Sequence, residues 1–298
     1  MKRLPLPSKV TAPSVDAAFW RRMAFAGARY GPRPWVRHSP PLFGLAFAAL
    51  LPEHRARVRD NLRRILGERT PLEENVDVAR TFATYARCLA ESLARGRPEA
   101  QRARRRLRGT EHLERAVAAG RGIVLVTAHT GAWDAAAHLL PRDAGLEVLV
   151  VMHAEPDARA RLLHDQVRRS EGVRVVHVGA HPLDSLPLLK HLRSGGVVAA
   201  QIDRSYPNQR SLDVELFGRP FRIPEGPFVL SALVGAPVLP VFVRRVDYFD
   251  YEFSISPAIH LPRRAGPDHI QRAAGQAALE MERFIRAHPT QWFHFGGG

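Results

Sequence analysis

One cysteine, Cys88, stands in the 298 residues, which excludes intramolecular disulfides and cysteine-rich metal sites. Lysine is almost as scarce, confined to Lys2, Lys9 and Lys190, so nearly all the positive charge is arginine. Long apolar runs are missing as well. The longest, Leu42 to Leu51, is flanked by Pro40, Pro41 and Pro52. It is about half the roughly 20 residues that a spanning helix needs. No apolar core with a cleavage site follows the basic stretch Met1 to Thr11, so no secretory signal is expected. Acids are in deficit, 29 against 44 Lys and Arg, for a formal charge of +15. Arginine pairs with phosphate and carboxylate through two parallel hydrogen bonds and is never deprotonated. The excess therefore implies anionic partners: nucleic acid, an anionic bilayer or an acidic carrier protein. A coding bias would also replace Lys by Arg, but would leave the net charge in place.

What is present is ordinary for a folded chain. A hydrophobic share of 45% and a charged share of 24% exclude global disorder. The length suits one large α/β domain with a helical extension. Residues 1–105 read as helical and membrane-associating. Val58, Leu62, Ile65 and Leu66 recur at helical spacing before Gly67, and a long apolar stripe from Pro71 passes through Phe82, Cys88 and Leu93. Cys88 reads as core, not nucleophile. The arginine-rich stretch Arg95 to Arg108 reads as a boundary.

From residue 106 to 298 strands and helices alternate. Thr110 can cap a short helix that ends at Gly120, and apolar strands are expected at Gly122 to Thr127, Glu147 to Met152, Val173 to Val178 and Val197 to Ile202. Helices are expected between them, including one around Ala158 to Ser170 and one from Leu183 to Arg193. A hairpin near Phe217 to Pro220, a helix near Glu225 to Val234, strands Pro237 to Val243 and Tyr251 to Ser256, and a last helix Ile270 to Ala287 complete the reading. The fold class is α/β: a mainly parallel central sheet flanked by helices, with an N-terminal helical extension.

The candidate chemistry is a histidine followed five positions later by an aspartate. With 14 His and about one acid in ten positions, roughly one or two such pairs arise by chance. The chain has two, His129–Asp134 and His138–Asp143. His138 lies in an apolar helical run and Pro141 breaks the chain before Asp143. His129 follows the strand Ile123-Val124-Leu125-Val126 and precedes Gly131, a strand-to-helix junction where open α/β sheets bind ligands. Asp134, one helical turn on, can fix the imidazole tautomer and stabilise the imidazolium formed when His129 takes a hydroxyl proton. A capping Asp beside a His that only closes the junction is the bland alternative.

His129-Thr130-Gly131-Ala132-Trp133-Asp134 resembles the HxxxxD block of the glycerolipid and lipid A acyltransferases. Three further blocks follow in family order. They are Gln201-Ile202-Asp203-Arg204, the stretch Glu215 to Pro227, and Gly235-Ala236-Pro237-Val238-Leu239-Pro240-Val241. Asn61-Leu62, Phe217-Gly218-Arg219-Pro220 and His288-Pro289-Thr290-Gln291-Trp292 are similar to the lipid A lauroyl/myristoyl branch, which includes mycobacterial phosphatidylinositol mannoside acyltransferases. The likeness runs from about residue 50 to the C-terminus.

The resemblance implies an acyl carrier protein or coenzyme A thioester as co-substrate, and no other cofactor or metal. It also implies a lipid acceptor with a free hydroxyl or amine, lipid A precursor-like or another glycolipid, and peripheral attachment to the cytoplasmic face of the inner membrane. An aminolipid, phospholipid or secondary metabolite is the alternative acceptor. His129 and Asp134 become the catalytic dyad, Asp203 a functional aspartate, and Arg204 similar to the arginine aimed at acceptor phosphate. Arg168 or Arg169 resembles an arginine in the helix before the third strand. Glu225-Gly226 resembles the Pro-Glu-Gly block of the glycerolipid enzymes, or Glu225 only favours a helix N-terminus. Oxyanion donors are expected from backbone N–H groups near Gly131 or the Asp203-Arg204 segment. Ser231 lacks the Gly-x-Ser-x-Gly elbow of a serine hydrolase. The competing class is a non-catalytic basic protein that binds membrane or nucleic acid. No nucleic-acid fold signature is present, and no nucleic-acid partner is expected.

Overall fold

The computed structural model describes residues 17–133, 146–153, 174–179, 181–206 and 209–296. Six helices open it: α1 (Ala17–Tyr30), α2 (Arg33–His38), α3 (Pro40–Leu50), α4 (Pro52–Leu66), α5 (Pro71–Leu93) and the single turn α6 (Pro98–Gln101). Each boundary has a local cause. Prolines occupy the first turns of α2 to α6, where their missing N–H costs nothing. Thr70 and Glu73 close a capping box at the start of α5. Gly67, at φ 77°, ends α4. Ala48, Val58, Leu62, Val78 and Phe82 form the core of this helical layer. At Gly44 α3 presses so close to α5 that a Cβ would stand 2.5 Å from the Phe82 carbonyl oxygen, so only glycine fits.

The central sheet has seven strands: β1 (Arg104–Arg108), β2 (Ile123–Thr127), β3 (Val148–His153), β4 (Arg174–Val178), β5 (Val197–Gln201), β8 (Val238–Asp247) and β9 (Asp250–Ile255). A separate two-stranded hairpin holds β6 (Ser211–Leu216) and β7 (Arg219–Pro224), turning at Phe217 and Gly218, both at positive φ. The order across the large sheet is β1-β9-β8-β2-β5-β3-β4, and every pair is parallel except β8 with β9. The mainly parallel sheet expected from the alternation is present. The expected domain boundary at 105/106 falls inside β1, whose five residues all pair with β9.

Helices cover both faces. Over one lie α8 (Leu186–Arg193), α9 (Gly226–Val234) and α10 (Pro267–Ala287), which bury Leu188, Phe228 and Met281 against Val124, Val126 and Val198. α10 does so through a stripe of small and apolar residues, Ala273, Ala274, Ala277, Ala278 and Met281, spaced by three and four. The other face packs Ile123, Leu125, Val197 and Leu239 against α7 (Thr110–Ala118), whose N-cap is Gly109 and not Thr110. The expected helix Ala158 to Ser170 lies outside the described residues, as do His138 and Asp143.

Candidate active site

β2 and β5 are neighbours in register, Thr127 beside Gln201, so the residues just beyond their C-terminal ends meet. Those residues are His129 and Asp203. Thr130 N–H closes a tight turn onto the Ala128 carbonyl (2.7 Å), which lifts His129 out of the strand line. The loop then drives Gly131 against the end of β8, where a Cβ would stand 2.5 Å from the Val243 carbonyl oxygen. At φ 48° and with that neighbour, no other residue fits the motif's third position.

Asp203 grips His129 twice. The imidazole Nδ1 lies 2.8 Å from Oδ1, and the His129 backbone N–H donates to Oδ2 at 3.0 Å. Trp292 Nε1–H donates to the same Oδ2 at 3.0 Å. The carboxylate is fully buried. Burial alone would raise its pKa, but the His129 imidazole, then His294 and Arg204, outweigh that, and Asp203 is held well below the usual carboxylate range. An ionised Asp203 fixes the proton on Nδ1 and leaves Nε2 as the free, basic nitrogen. Among the described residues nothing bonds Nε2. The Trp133 ring stands edge-on to the imidazole at 5.1 Å.

Asp134, the expected orienting carboxylate, lies outside the described residues, as do Arg168 and Arg169. The carboxylate found at Nδ1 is Asp203, so its position is that of a histidine partner. Arg204 donates to the Phe293 carbonyl at 2.8 Å, and its buried Nε has no partner among the described residues. Glu225 is the N-cap of α9 and pairs with Arg210 at 2.8 Å, with Gly226 behind it. Ser231 is buried and its hydroxyl donates to the Ala236 carbonyl at 2.6 Å, a packing role. Cys88 is buried too, and burial pushes its thiol well up. Of the expected backbone oxyanion donors, those of residues 129–131 are committed: His129 N–H to Asp203, Thr130 N–H to Ala128, and Gly131 N–H to the Gln291 carbonyl at 2.8 Å.

The C-terminal segment is the part of the site that sequence reasoning missed. Trp292 bridges to Thr130, Phe293 N–H donates to the His129 carbonyl at 2.8 Å, and the Gln291 side chain bonds both the N–H and the carbonyl of Arg245. Asn61 of α4 holds the His294 carbonyl at 2.9 Å. His294 stacks on Trp292 at 5.0 Å, and its buried Nδ1 has no partner among the described residues. The signal was available: Asn61 and the stretch His288 to Trp292 carry the family resemblance, and they converge here.

An apolar pocket lies on the same face of the sheet as Ile123, Leu125 and Val197, extending across Val148, Leu239 and Val241. No helix among the described residues is long and apolar enough to cross a membrane.

Known proteins resemble the chain over most of its length. The chain is 28% identical to the phosphatidylinositol mannoside acyltransferase of Mycobacterium tuberculosis (strain H37Rv), covering 98% of this chain and 92% of that protein. It is 25% identical to the lipid A biosynthesis acyltransferase of Haemophilus influenzae, over 80% of this chain and 74% of the other. The solved 1-acyl-sn-glycerophosphate (LPA) acyltransferase of Thermotoga maritima matches at a TM-score of 0.39 and 11% identity, covering 78% of this chain and 98% of that one. The family model for bacterial lipid A biosynthesis acyltransferases matches residues 8–296. The chain belongs to that family of lipid-acylating transferases.

Proposed function

We propose that the protein moves a fatty acyl chain from an acyl carrier protein or coenzyme A thioester to a hydroxyl or amine of a membrane lipid, a lipid A precursor or another glycolipid. His129 serves as general base and Asp203 holds it. One observation carries this reading: the imidazole is clamped through Nδ1 by a buried carboxylate at the mouth of the sheet, and among the described residues nothing bonds its Nε2. As the acceptor oxygen or nitrogen attacks the thioester carbonyl carbon, its proton passes to Nε2 and the carbonyl becomes an oxyanion. The intermediate collapses, the carbon–sulfur bond breaks, and the departing thiolate takes the proton back from His129. Asp203 stabilises the imidazolium between these steps. Arg204, with an unpartnered Nε at the site's edge, and Arg168 or Arg169 attract the acceptor's anionic groups. Glu225 and Gly226 shape the start of α9 beside the hairpin.

The same reading places the protein on the cytoplasmic face of the inner membrane as a peripheral enzyme. Trp35, Leu42, Phe43, Phe47 and Leu50 of α2 and α3 are all more than half exposed, a contiguous apolar face unusual on a monomer's surface. Arg33 and Arg37 on α2 lie beside it and complement anionic headgroups.

Purified enzyme with palmitoyl-coenzyme A or a palmitoyl carrier protein and lipid vesicles tests the chemistry. His129→Ala and Asp203→Asn are each expected to slow thiol release by about 10²–10⁴-fold without loss of fold. Turnover at the wild-type rate in either variant contradicts the assignment.

A further inference from the structure

A thioester carbonyl under attack needs hydrogen-bond donors aimed at the oxygen where charge develops. The backbone N–H groups of residues 129, 130 and 131 cannot serve, because each already has a protein acceptor. Side-chain donors close to the dyad are therefore candidates for the role. Half-satisfied buried polar groups are costly, and a folded chain retains them where something else uses them. Two such groups precede the dyad on its own two strands: Thr127 Oγ1 and Gln201 Nε2 are both buried and, among the described residues, both without a partner. Thr127 is 94% buried by its 6% exposure.

Their placement is specific. Thr127 and Gln201 are register partners across the β2–β5 ladder, so their side chains emerge side by side on one face. Alternation puts Thr127 on the face of Ile123 and Leu125, and Gln201 on the face of Val197 and Ala199, all four in the same core. His129 and Asp203 follow two residues later on their respective chains, just beyond the strand ends. The pair therefore separates the charged dyad from the apolar pocket lined by Ile123, Leu125 and Val197. They do not bond to each other, although neighbours of this kind can. Other unpartnered groups are placed differently. Thr130 joins the bridge to Trp292, and Arg204 is tied to the Phe293 carbonyl.

We propose that Gln201 Nε2–H and Thr127 Oγ1–H together hold the thioester carbonyl oxygen and stabilise the oxyanion, with the first methylenes of the acyl chain entering the apolar pocket behind them. The proposal rests on the acyl-transfer reading. In the step, the carbonyl π bond opens onto oxygen as the acceptor bond forms, and the two donors take up the charge. They release the carbonyl when the carbon–sulfur bond breaks.

Three substitutions test it in the full-length enzyme: Thr127→Val, Gln201→Met and Thr127→Ser. Each apolar variant is expected to lower kcat by about 10- to 10³-fold with KM little changed, since the interaction belongs to the transition state. Each is also expected to hold or raise the melting temperature, because it replaces an unsatisfied buried polar group by an apolar one of similar shape. Thr127→Ser keeps the hydroxyl and recovers most of the turnover lost in Thr127→Val. Turnover within about twofold of wild type in both apolar variants overturns the proposal. So does an activity loss that only follows a fall in folded protein, which marks the pair as structural. His129→Ala separates the two levels: if it is inactive while the apolar variants are unimpaired, acyl transfer stands and this oxyanion site does not. A wild-type protein inert toward both thioester donors removes the reading and the proposal together.

Discussion

Asp203 and His294 both titrate below their ordinary values, for different reasons. Burial would raise Asp203, and the His129 imidazole, with His294 and Arg204 beside it, reverses the sign. Burial itself lowers His294, with Asp203 pulling it up and Arg204 and His129 pushing it down. Both groups bind fewer protons in the folded than in the unfolded chain, so both make stability rise with pH. The windows differ. Asp203 contributes stability above the ordinary value of 3.8, and loses it only as pH falls through its much lower folded value. His294 contributes fully above 6.5 and loses stability as pH falls below that toward its folded value, and His288, lowered by burial, has the same sign. The melting temperature is therefore expected to fall between about pH 7 and about pH 5. His294→Gln should flatten that slope by circular-dichroism melts, and an unchanged slope would show that His294 is not held neutral. His129 itself was legible from a β strand followed by a glycine junction. Its partner was not, because the adjacency of β2 and β5 arises from long-range pairing, while sequence spacing points only at Asp134.

Among the elements, α3 has no interior to hide in. Pro40, Gly44 and Ala48 are buried, and most of the remaining, almost wholly apolar helix faces outward. Burying one large apolar side chain is worth about 1.5–3 kcal/mol. A Leu42→Ser/Phe43→Ser double variant is thus expected to bind anionic vesicles at least about tenfold more weakly in sedimentation, with an unaltered melting curve. Equal binding would move membrane contact elsewhere on the molecule. β1 shows where element reading failed. Its sequence, Arg-Arg-Arg-Leu-Arg, has one apolar residue and reads as a boundary, yet it forms an edge strand. Edge strands tolerate charge, and here Arg106 and Arg108 meet the buried Asp250 and Glu252 of β9. The strands Ile123–Thr127 and Val197–Gln201 were legible because β-branched, apolar runs bounded by glycine have few other uses.

At the scale of the whole molecule, the helical layer and the sheet are not separable. Glu91 of α5, almost fully buried, accepts from Arg245 of β8 and Tyr251 of β9 at 2.7 Å each, and Tyr85 packs edge-on against Phe293. The C-terminal segment runs between α4, α5 and the His129 loop. The N-terminal helical layer thereby touches the residues that fix the imidazole. Composition showed a basic, Arg-based surface, but not this packing, which depends on residues more than 150 positions apart. The central claim is that the His129–Asp203 pair acylates a membrane lipid. Mass spectrometry of lipids from cells carrying the wild-type or the His129→Ala gene tests it most directly. The account predicts a lipid heavier by one acyl chain in the wild type alone, at equal protein levels. The same acylated lipid in both strains would contradict it.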